Sequence, residues 1–212
     1  MLKLYAVFAM MAIGASGQTA PMSPELRTFV MRAEEQKAVI GAMQEQWRTL
    51  VPECATPQLK NMNVRVVQAP VFDVAGNPTR GVWMMVGQFE GCGQIRVMNL
   101  RYGFGPEGKL VRSPMLPGTT HADPLLQNDA LFHARVAMIG LAPKDCKEIT
   151  VIDTKFLRYG DESPKARPGF ETHVWYEEWR VRECGVVGTV PINFIPDATG
   201  TTISAEMAKA QQ

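Results

Sequence analysis

The chain lacks a strong excess of charge of either sign: 22 Lys and Arg stand against 21 Asp and Glu, for a formal net charge of +1. Proteins that bind nucleic acid or anionic membranes through bulk charge carry a clear basic excess, so the composition indicates neither activity. After its first residues the chain also lacks an apolar run of the ~20 residues that span a bilayer. A hydrophobic fraction of 46% predicts an ordinary globular protein.

Motifs that mark metal, nucleophile and nucleotide sites are also missing or interrupted. The sequence has no Cys-x-x-Cys pair and no Gly-x-Ser-x-Gly elbow, which are typical of zinc sites and of hydrolase nucleophiles. The segment 103–108 matches the dinucleotide-binding glycine pattern, but Pro106 interrupts it and 109–112 has the character of a strand. We therefore predict a turn at this segment and expect no cofactor, no metal and no catalytic residue.

The N-terminus has the features of a secretory signal peptide. Lys3 precedes an apolar run from Leu4 to Ala15, and Ala15-Ser16-Gly17 is a small-residue cleavage site. We predict a signal peptide at 1–17 and a mature chain that is periplasmic or secreted. A buried N-terminal helix is the structural alternative.

The four cysteines repeat at an offset of 92 residues, as does the motif Trp-x(8)-Cys-Gly. Cys54 and Cys92 become Cys146 and Cys184 under this offset, and Trp83 becomes Trp175. We predict an internal duplication with α+β repeats at 23–112 and 115–205. The alternative is two unrelated halves.

Each predicted repeat is one helix followed by a four-stranded antiparallel meander. Ser23-Pro24 and Asp123-Pro124 pair an N-cap residue with proline at the first helical position. The predicted buried stripe of the first helix is Leu26, Phe29, Ala33, Ile40, Met43, Trp47 and Leu50, and the second helix matches it with Leu125, Phe132 and Ile139. The predicted strands are 62–70, 80–90, 94–102 and 109–112, then 150–159, 172–183, 187–195 and 201–204.

This arrangement predicts how the cysteines pair. Cys54 lies just before the first strand of its repeat, and Cys92 lies at the end of the second. The start of one strand lies beside the end of the next in an antiparallel hairpin. An even number of cysteines in a secreted chain favours disulfides, so we predict Cys54–Cys92 and Cys146–Cys184.

The strand around Trp175 predicts the candidate recognition surface. Period-2 alternation puts Trp175, Glu177, Trp179 and Val181 on one face. The other face then carries Tyr176, Glu178, Arg180 and Arg182. Tyr and Arg are common in interface hot spots, so this second face is the predicted binding patch. The alternative is a solvated face with cross-strand ion pairs.

The three histidines are the remaining candidates for chemistry. His121 lies in the segment between the repeats, His133 lies on the second helix, and His173 begins a strand. A small hydrolase could assemble a site from Glu177, Glu178, His121 or His173. Solvated or hydrogen-bonded structural histidines are the alternative.

Several motifs together resemble uncharacterised secreted proteins of Gram-negative bacteria. They are the segments LPGTTHADPLLQNDA, VIDT and FIPDATGTTI, and the spacing Trp-x(8)-Cys-Gly. The resemblance covers most of the mature chain and implies a periplasmic location without an activity. The plan of two helix-plus-sheet repeats also resembles β-lactamase inhibitor protein in layout, although no motif of that family is present.

Two functions follow from these observations. The first is a non-catalytic periplasmic or secreted binding module that contacts an envelope protein. The second is a small periplasmic hydrolase with a carboxylate and histidine site. A flat surface favours the first function, and a deep pocket favours the second.

Overall fold

A computed structural model describes residues 21–167 and 171–210. The predicted signal peptide lies outside the described residues. The chain divides into two compact units, with the boundary between Met115 and Leu116. No helix in the described part of the chain is long and apolar enough to cross a membrane.

The first unit is two helices followed by an antiparallel sheet in the order β1-β2-β3-β4. Its elements are α1 (Pro24–Val30), α2 (Ala33–Leu50), β1 (Gln58–Phe72), β2 (Pro78–Gly91), β3 (Gln94–Phe104) and β4 (Leu110–Met115). Ser23 caps α1, since its Oγ accepts a hydrogen bond from the Leu26 amide at 3.2 Å. The four predicted strands are present, each somewhat longer than predicted.

The second unit has one helix and a sheet in the order β5-β6-β7-β8. Its elements are α3 (Pro124–Ala137), β5 (Ile149–Glu162), β6 (His173–Glu183), β7 (Val186–Pro196), β8 (Thr201–Ala205) and β9 (Lys209–Ala210). Asp123 caps α3 by accepting from the amides of Leu125 and Leu126 at 2.8 and 3.0 Å. The short strand β9, which was not predicted, pairs with β7. The α+β class and the two four-stranded meanders are therefore confirmed.

The prediction of a single helix at the start of the first unit was wrong. Arg32 takes a non-helical conformation (φ −59°, ψ 137°) and separates α1 from α2. Its guanidinium donates to Asn77 Oδ1 at 2.8 Å and to the Gly76 carbonyl at 2.6 Å, both in the turn between β1 and β2. These contacts lie more than forty residues away in sequence, so helical periodicity alone could not predict the break.

The break also changes which helix residues face the sheet. Beyond it, α2 buries Glu35, Val39, Met43, Trp47 and Leu50, whereas Ala33 is exposed and Ile40 is half-buried. Met43 packs directly over Gly87 of β2, where an added Cβ would lie 2.8 Å from the Met43 sulfur.

The predicted stripe on the second helix points away from its sheet. Leu125, Phe132 and Ile139 are 70%, 68% and 67% exposed. The helix instead buries small or polar side chains, namely Gln127, Ala130, Ala134 and Ala137. Small residues let the helix approach the sheet closely, and Gly188 of β7 leaves the space for the Met138 sulfur at its C-terminal end.

Both predicted disulfides are present. Their Cα–Cα distances are 5.9 Å for Cys54–Cys92 and 5.8 Å for Cys146–Cys184, within the usual range. Disulfides persist in oxidising compartments and are rare in the cytosol, so these bonds support a location outside the cytoplasm.

The Cys-Gly pairs of the repeated motif form two-residue hairpin loops. Cys92 and Gly93 have φ of 48° and 74°, and Cys184 and Gly185 have φ of 45° and 84°. The flanking residues pair across the hairpin, as Gly91 with Gln94 and Glu183 with Val186. Positive φ at both central residues is typical of a type I′ turn, which matches the twist of a hairpin. One motif thus supplies both the turn and the disulfide.

The glycine-rich segment 103–108 is a turn, as predicted. Gly103 and Phe104 end β3, the Gly105 amide donates to the Lys109 carbonyl at 3.0 Å, and β4 begins at Leu110. The loop Gly160–Gly169 begins inside β5, which ends at Glu162, and its residues 168–169 lie outside the described part of the chain.

Candidate functional site

The two faces of β6 have opposite characters. Trp175, Glu177, Trp179 and Val181 are buried against the core of the second unit, and the residues between them are half-buried on the other side. The predicted alternation along this strand is therefore confirmed. Each face must be considered separately, because a strand side chain contacts only one side of its sheet.

A carboxylate lies inside the core on the buried face. Glu177 is fully buried. Its Oε1 accepts from the indole N–H of Trp175 at 3.0 Å and from the backbone amide of His121 at 2.8 Å. Its Oε2 accepts from the indole N–H of Trp179 at 2.7 Å.

The three hydrogen bonds to Glu177 show that its role is structural. Buried polar groups are stable only when they are hydrogen-bonded, and here two indoles and one amide satisfy both oxygens. The carboxylate holds His121 against the sheet across 56 residues of sequence. Glu177 is thus a positioning residue inside the core, with its oxygens engaged by protein donors.

An aromatic cluster forms where His121 meets β5. The His121 imidazole stacks on Phe156, with ring centroids 3.9 Å apart, and its Nδ1 lies 2.9 Å from the Tyr159 hydroxyl. Tyr159 in turn meets His173 edge to face at 5.9 Å. Two of the three histidines thus join one cluster, together with the rings of Phe156 and Tyr159, which were not predicted to take part.

Phe156 and Tyr159 were missed because β5 is irregular. Register shifts lie between Phe156 and Arg158 and between Tyr159 and Glu162. A strict period of two would place Phe156 and Tyr159 on opposite faces, whereas the shift between them puts both on the face of Glu177 and Trp175. A bulge of this kind changes the side chains that follow it, and a single sequence gives little signal for its position.

Three of the four candidate hydrolase residues lie close together. Glu177 accepts a hydrogen bond from the His121 amide, and the Tyr159 ring contacts those of both His121 and His173. Glu178 lies apart from them, on the outward face of β6. His133, the third histidine, lies on α3 beside Phe132. Among residues 21–167 and 171–210, no three His, Cys, Asp or Glu side chains are placed to hold a metal ion.

The four predicted binding residues share the outward face of β6. Tyr176, Glu178, Arg180 and Arg182 are each half-buried. Their neighbours on β5 are Arg158, Lys155, Asp153 and Thr150, in the same order. Opposite charges thus face each other at two of these four positions.

Tyr176 is the most constrained member of this outward face. The Arg158 guanidinium carbon lies 4.0 Å above the centre of the Tyr176 ring. The ring crosses the backbone at Gly160, where an added Cβ would lie 2.8 Å from Tyr176 Cε2. Cation–π contact of this kind is favourable, so the Tyr and Arg side chains form a pre-ordered pair.

The first unit contains a different buried carboxylate. Glu35 of α2 accepts from Arg112 Nε and Nη2, both at 2.7 Å, and from the Tyr102 hydroxyl at 2.5 Å. Burial and the neighbouring carboxylate raise the pKa of Tyr102. The hydrogen bonds to Glu35 raise the pKa of Arg112. This ion pair connects α2 to β4 and was not predicted, because a charged residue interrupts the apolar stripe.

A comparison of the chain with known protein families, curated proteins and solved structures found no match. Function is therefore inferred from the geometry of the chain itself.

Proposed function

We propose that this protein is a non-catalytic binding module of the periplasm or of the secreted fraction, and that it contacts an envelope protein. Its recognition surface is the outward face of β6, with Tyr176, Glu178, Arg180 and Arg182. The predicted signal peptide and the two disulfides support this location. The buried face of the same strand is occupied by the core, which leaves the outward face for partners.

The ordered Tyr176–Arg158 pair is the observation that carries this proposal. Recognition surfaces favour Tyr and Arg, because Tyr gives a large contact area with few rotating groups and the planar guanidinium of Arg presents several donors in a fixed geometry. Here the aromatic ring and the guanidinium are in contact at 4.0 Å on a rigid sheet. Side chains that are already ordered lose less entropy when a partner binds.

We further propose that the two units arose by tandem duplication. Each has a helix, a four-stranded meander and a disulfide with a sequence separation of 38. Trp83 stacks on Tyr102 at 4.9 Å and Trp175 on Phe194 at 4.7 Å, and both pairs follow the offset of 92. The outward residues of β6 then replace Met84, Val86 and Gln88 of the first unit, which marks the second unit as the one that diverged toward recognition.

Capture from an envelope extract tests this proposed function. The mature oxidised protein is immobilised and compared with Tyr176→Ala/Arg180→Ala and with a control, Lys144→Ala/Lys147→Ala, on an exposed loop of the same unit. We expect the first variant to lose its captured partner and the control to keep it. Both variants should melt close to wild type, because partly exposed ion pairs contribute little to stability.

Two results would contradict the proposal. Normal capture by the folded Tyr176→Ala/Arg180→Ala variant would move recognition elsewhere, first to the loop Gly160–Gly169. Loss of fold in that variant would show that Tyr176 and Arg180 serve stability.

A small hydrolase is the second candidate, and the His121–Tyr159 hydrogen bond favours it. An imidazole bonded to a phenol can transfer protons. Under this alternative, a panel of activated esters would show turnover that His121→Gln abolishes and that Tyr159→Phe reduces. Absence of turnover in the wild-type protein would remove this candidate.

A further inference from the structure

The outward face of the second sheet is basic, although its unit is acidic. From residue 116 onward the chain has ten Lys and Arg against thirteen Asp and Glu. Among the residues that pair across the outward face the balance is reversed, with five basic and two acidic residues. These are Lys155, Arg158, Arg180, Arg182 and Lys209, with Asp153 and Glu178. Half of the basic residues of the unit therefore lie on one sheet face.

Along β5 and β6, the positive charge that no opposite acid balances lies at the two ends of this face. In the middle, Asp153 is opposite Arg180 and Lys155 is opposite Glu178, so these pairs are balanced. Arg158 at one end lies over the neutral Tyr176, and Arg182 at the other end is opposite Thr150. Six residues of β6 separate the two ends, or about 20 Å at the rise of a strand.

Arg158 is shaped for a carboxylate. Its guanidinium carbon lies 4.0 Å from the centre of the Tyr176 ring, and its N–H donors lie in the plane of the group. A planar guanidinium in a defined orientation can bind both oxygens of a carboxylate at once. The exposed position of Arg158 on the edge strand β5 leaves these donors accessible.

The spacing favours a peptide over a uniformly anionic surface. A continuous layer of phosphates would also meet Asp153 and Glu178, and like charges in direct opposition are unfavourable. An extended chain rises at about 3.3 Å per residue. Two acidic residues about six positions apart would therefore reach Arg158 and Arg182 without facing the two acids between them.

We propose that the outward face of the second sheet binds an extended acidic segment of a partner protein, with one carboxylate on Arg158 and another on Arg182. This inference rests on the proposed function and names the chemistry of its partner. Asp153 and Glu178 select the spacing, because each faces a basic residue across β5 and β6 and leaves no unbalanced charge there for an acid at the centre of the segment.

Fluorescence anisotropy with the mature oxidised protein tests this inference. One labelled peptide of about twelve residues, built from Ser and Thr, carries an Asp-Glu pair near each end, about six residues apart. Its isomer carries the same four acids together at the centre. We expect the first peptide to bind about threefold more tightly or better, and its affinity to fall as salt rises.

Matched variants locate the binding site. Arg158→Gln/Arg182→Gln should weaken binding of the spaced peptide about tenfold, because two charge-assisted hydrogen-bonded contacts are lost. Lys144→Gln/Lys147→Gln removes the same charge from an exposed loop and should change affinity by less than about twofold. If the double variant is poorly folded, the affinity of the single variant Arg182→Gln for the spaced peptide is measured in its place.

Three outcomes would overturn the inference. Equal affinity for the two isomers would show that binding depends only on net charge. Equal losses of affinity in the two double variants would show the same. Binding to phosphatidylglycerol vesicles without any peptide preference would identify an anionic surface as the partner. If peptides fail while Tyr176→Ala/Arg180→Ala still abolishes envelope capture, the acidic segment is wrong and the proposed function stands.

Discussion

The two units hold a buried carboxylate in different ways. In the first unit Glu35 comes from a helix and is neutralised by Arg112. In the second unit Glu177 comes from a strand and accepts hydrogen bonds from two indoles and an amide. The comparison shows that one helix-and-meander plan can tolerate a core acid at different positions, provided that donors converge on it.

The same difference explains an unsatisfied group in the first unit. Met85 stands at the position equivalent to Glu177. The indole N–H of Trp83 is buried and has no hydrogen-bond partner among the described residues. Its counterpart in Trp175 donates to Glu177 at 3.0 Å. The residue two positions after each tryptophan thus decides whether its indole N–H has a hydrogen-bond partner.

The largest expected effect comes from the feature that the units share. Replacing either pair of cysteines by alanine should lower the free energy of unfolding by about 4 kcal/mol in the chain-entropy model. The two losses should be similar, because both disulfides have a sequence separation of 38. Urea unfolding of Cys54→Ala/Cys92→Ala and Cys146→Ala/Cys184→Ala measures this. A difference above about 2 kcal/mol between the two losses would show that the two disulfides are not equivalent.

Glu177→Met makes the second unit resemble the first at this position. It leaves three buried N–H donors without an acceptor, and each unsatisfied donor costs about 1–3 kcal/mol. Relief of the buried charge offsets part of this, so we expect a loss of about 3 kcal/mol by urea unfolding. Glu178→Met, on the outward face, is the control and should change stability by about 0.5 kcal/mol or less. Equal effects from the two variants would contradict the role of Glu177.

The matched tryptophans should respond differently to loss of the indole nitrogen. Trp175→Phe removes a donor that Glu177 uses, whereas Trp83→Phe removes one without a partner. Both variants keep a ring for stacking. We expect Trp175→Phe to be more destabilising than Trp83→Phe by about 1–2 kcal/mol. Thermal unfolding of both variants measures the difference, and a reversed order would be inconsistent with this view of the core.

The smallest expected effect concerns the turn before the last strand of each meander. In the second unit Asp197 accepts from Thr199, Gly200 and Thr202, and the hydroxyl of Thr199 is the largest cause that lowers its pKa to about 2. Gly105 stands at the equivalent place in the first unit and offers only backbone bonds.

The sign of the pH dependence follows from this lowered pKa. The stability that Asp197 adds to the folded state is complete above its ordinary pKa, and it is lost as pH falls from about 4 toward 2. A carboxyl NMR titration should give a midpoint near pH 2. Thr199→Ala should move that midpoint upward, and a wild-type midpoint near 4 would refute the turn network.

Local signals predicted much of the fold. Ser23 and Asp123 do cap their helices, because capping depends on the next three residues only. The strands followed from short-range alternation, and the disulfides followed from strand order. The two faces of β6 were also predictable, since alternate side chains on a strand point to opposite sides.

The candidate site was predicted only in part. Tyr176 was placed on one face of β6 with Glu178, Arg180 and Arg182, and the structure has them together on its outward face. The guanidinium over the Tyr176 ring, however, belongs to Arg158 on β5. Its position depends on the register of β5, which shifts between Phe156 and Arg158. Glu177 was placed beside Trp175 and Trp179, yet its third donor comes from His121.

Residue type and short-range spacing account for the caps, the strands and the Cys-Gly turns, and the order of the strands accounts for the cysteine pairs. The helix break at Arg32, the burial of Glu177 and the outward position of Phe132 arise from long-range packing. Each of these depends on groups that are distant in the chain: the turn at Asn77, the amide of His121 and the close approach of an alanine face to a sheet. Long-range packing can override the local preference of a residue whenever it satisfies a buried polar group or fills the space that remains.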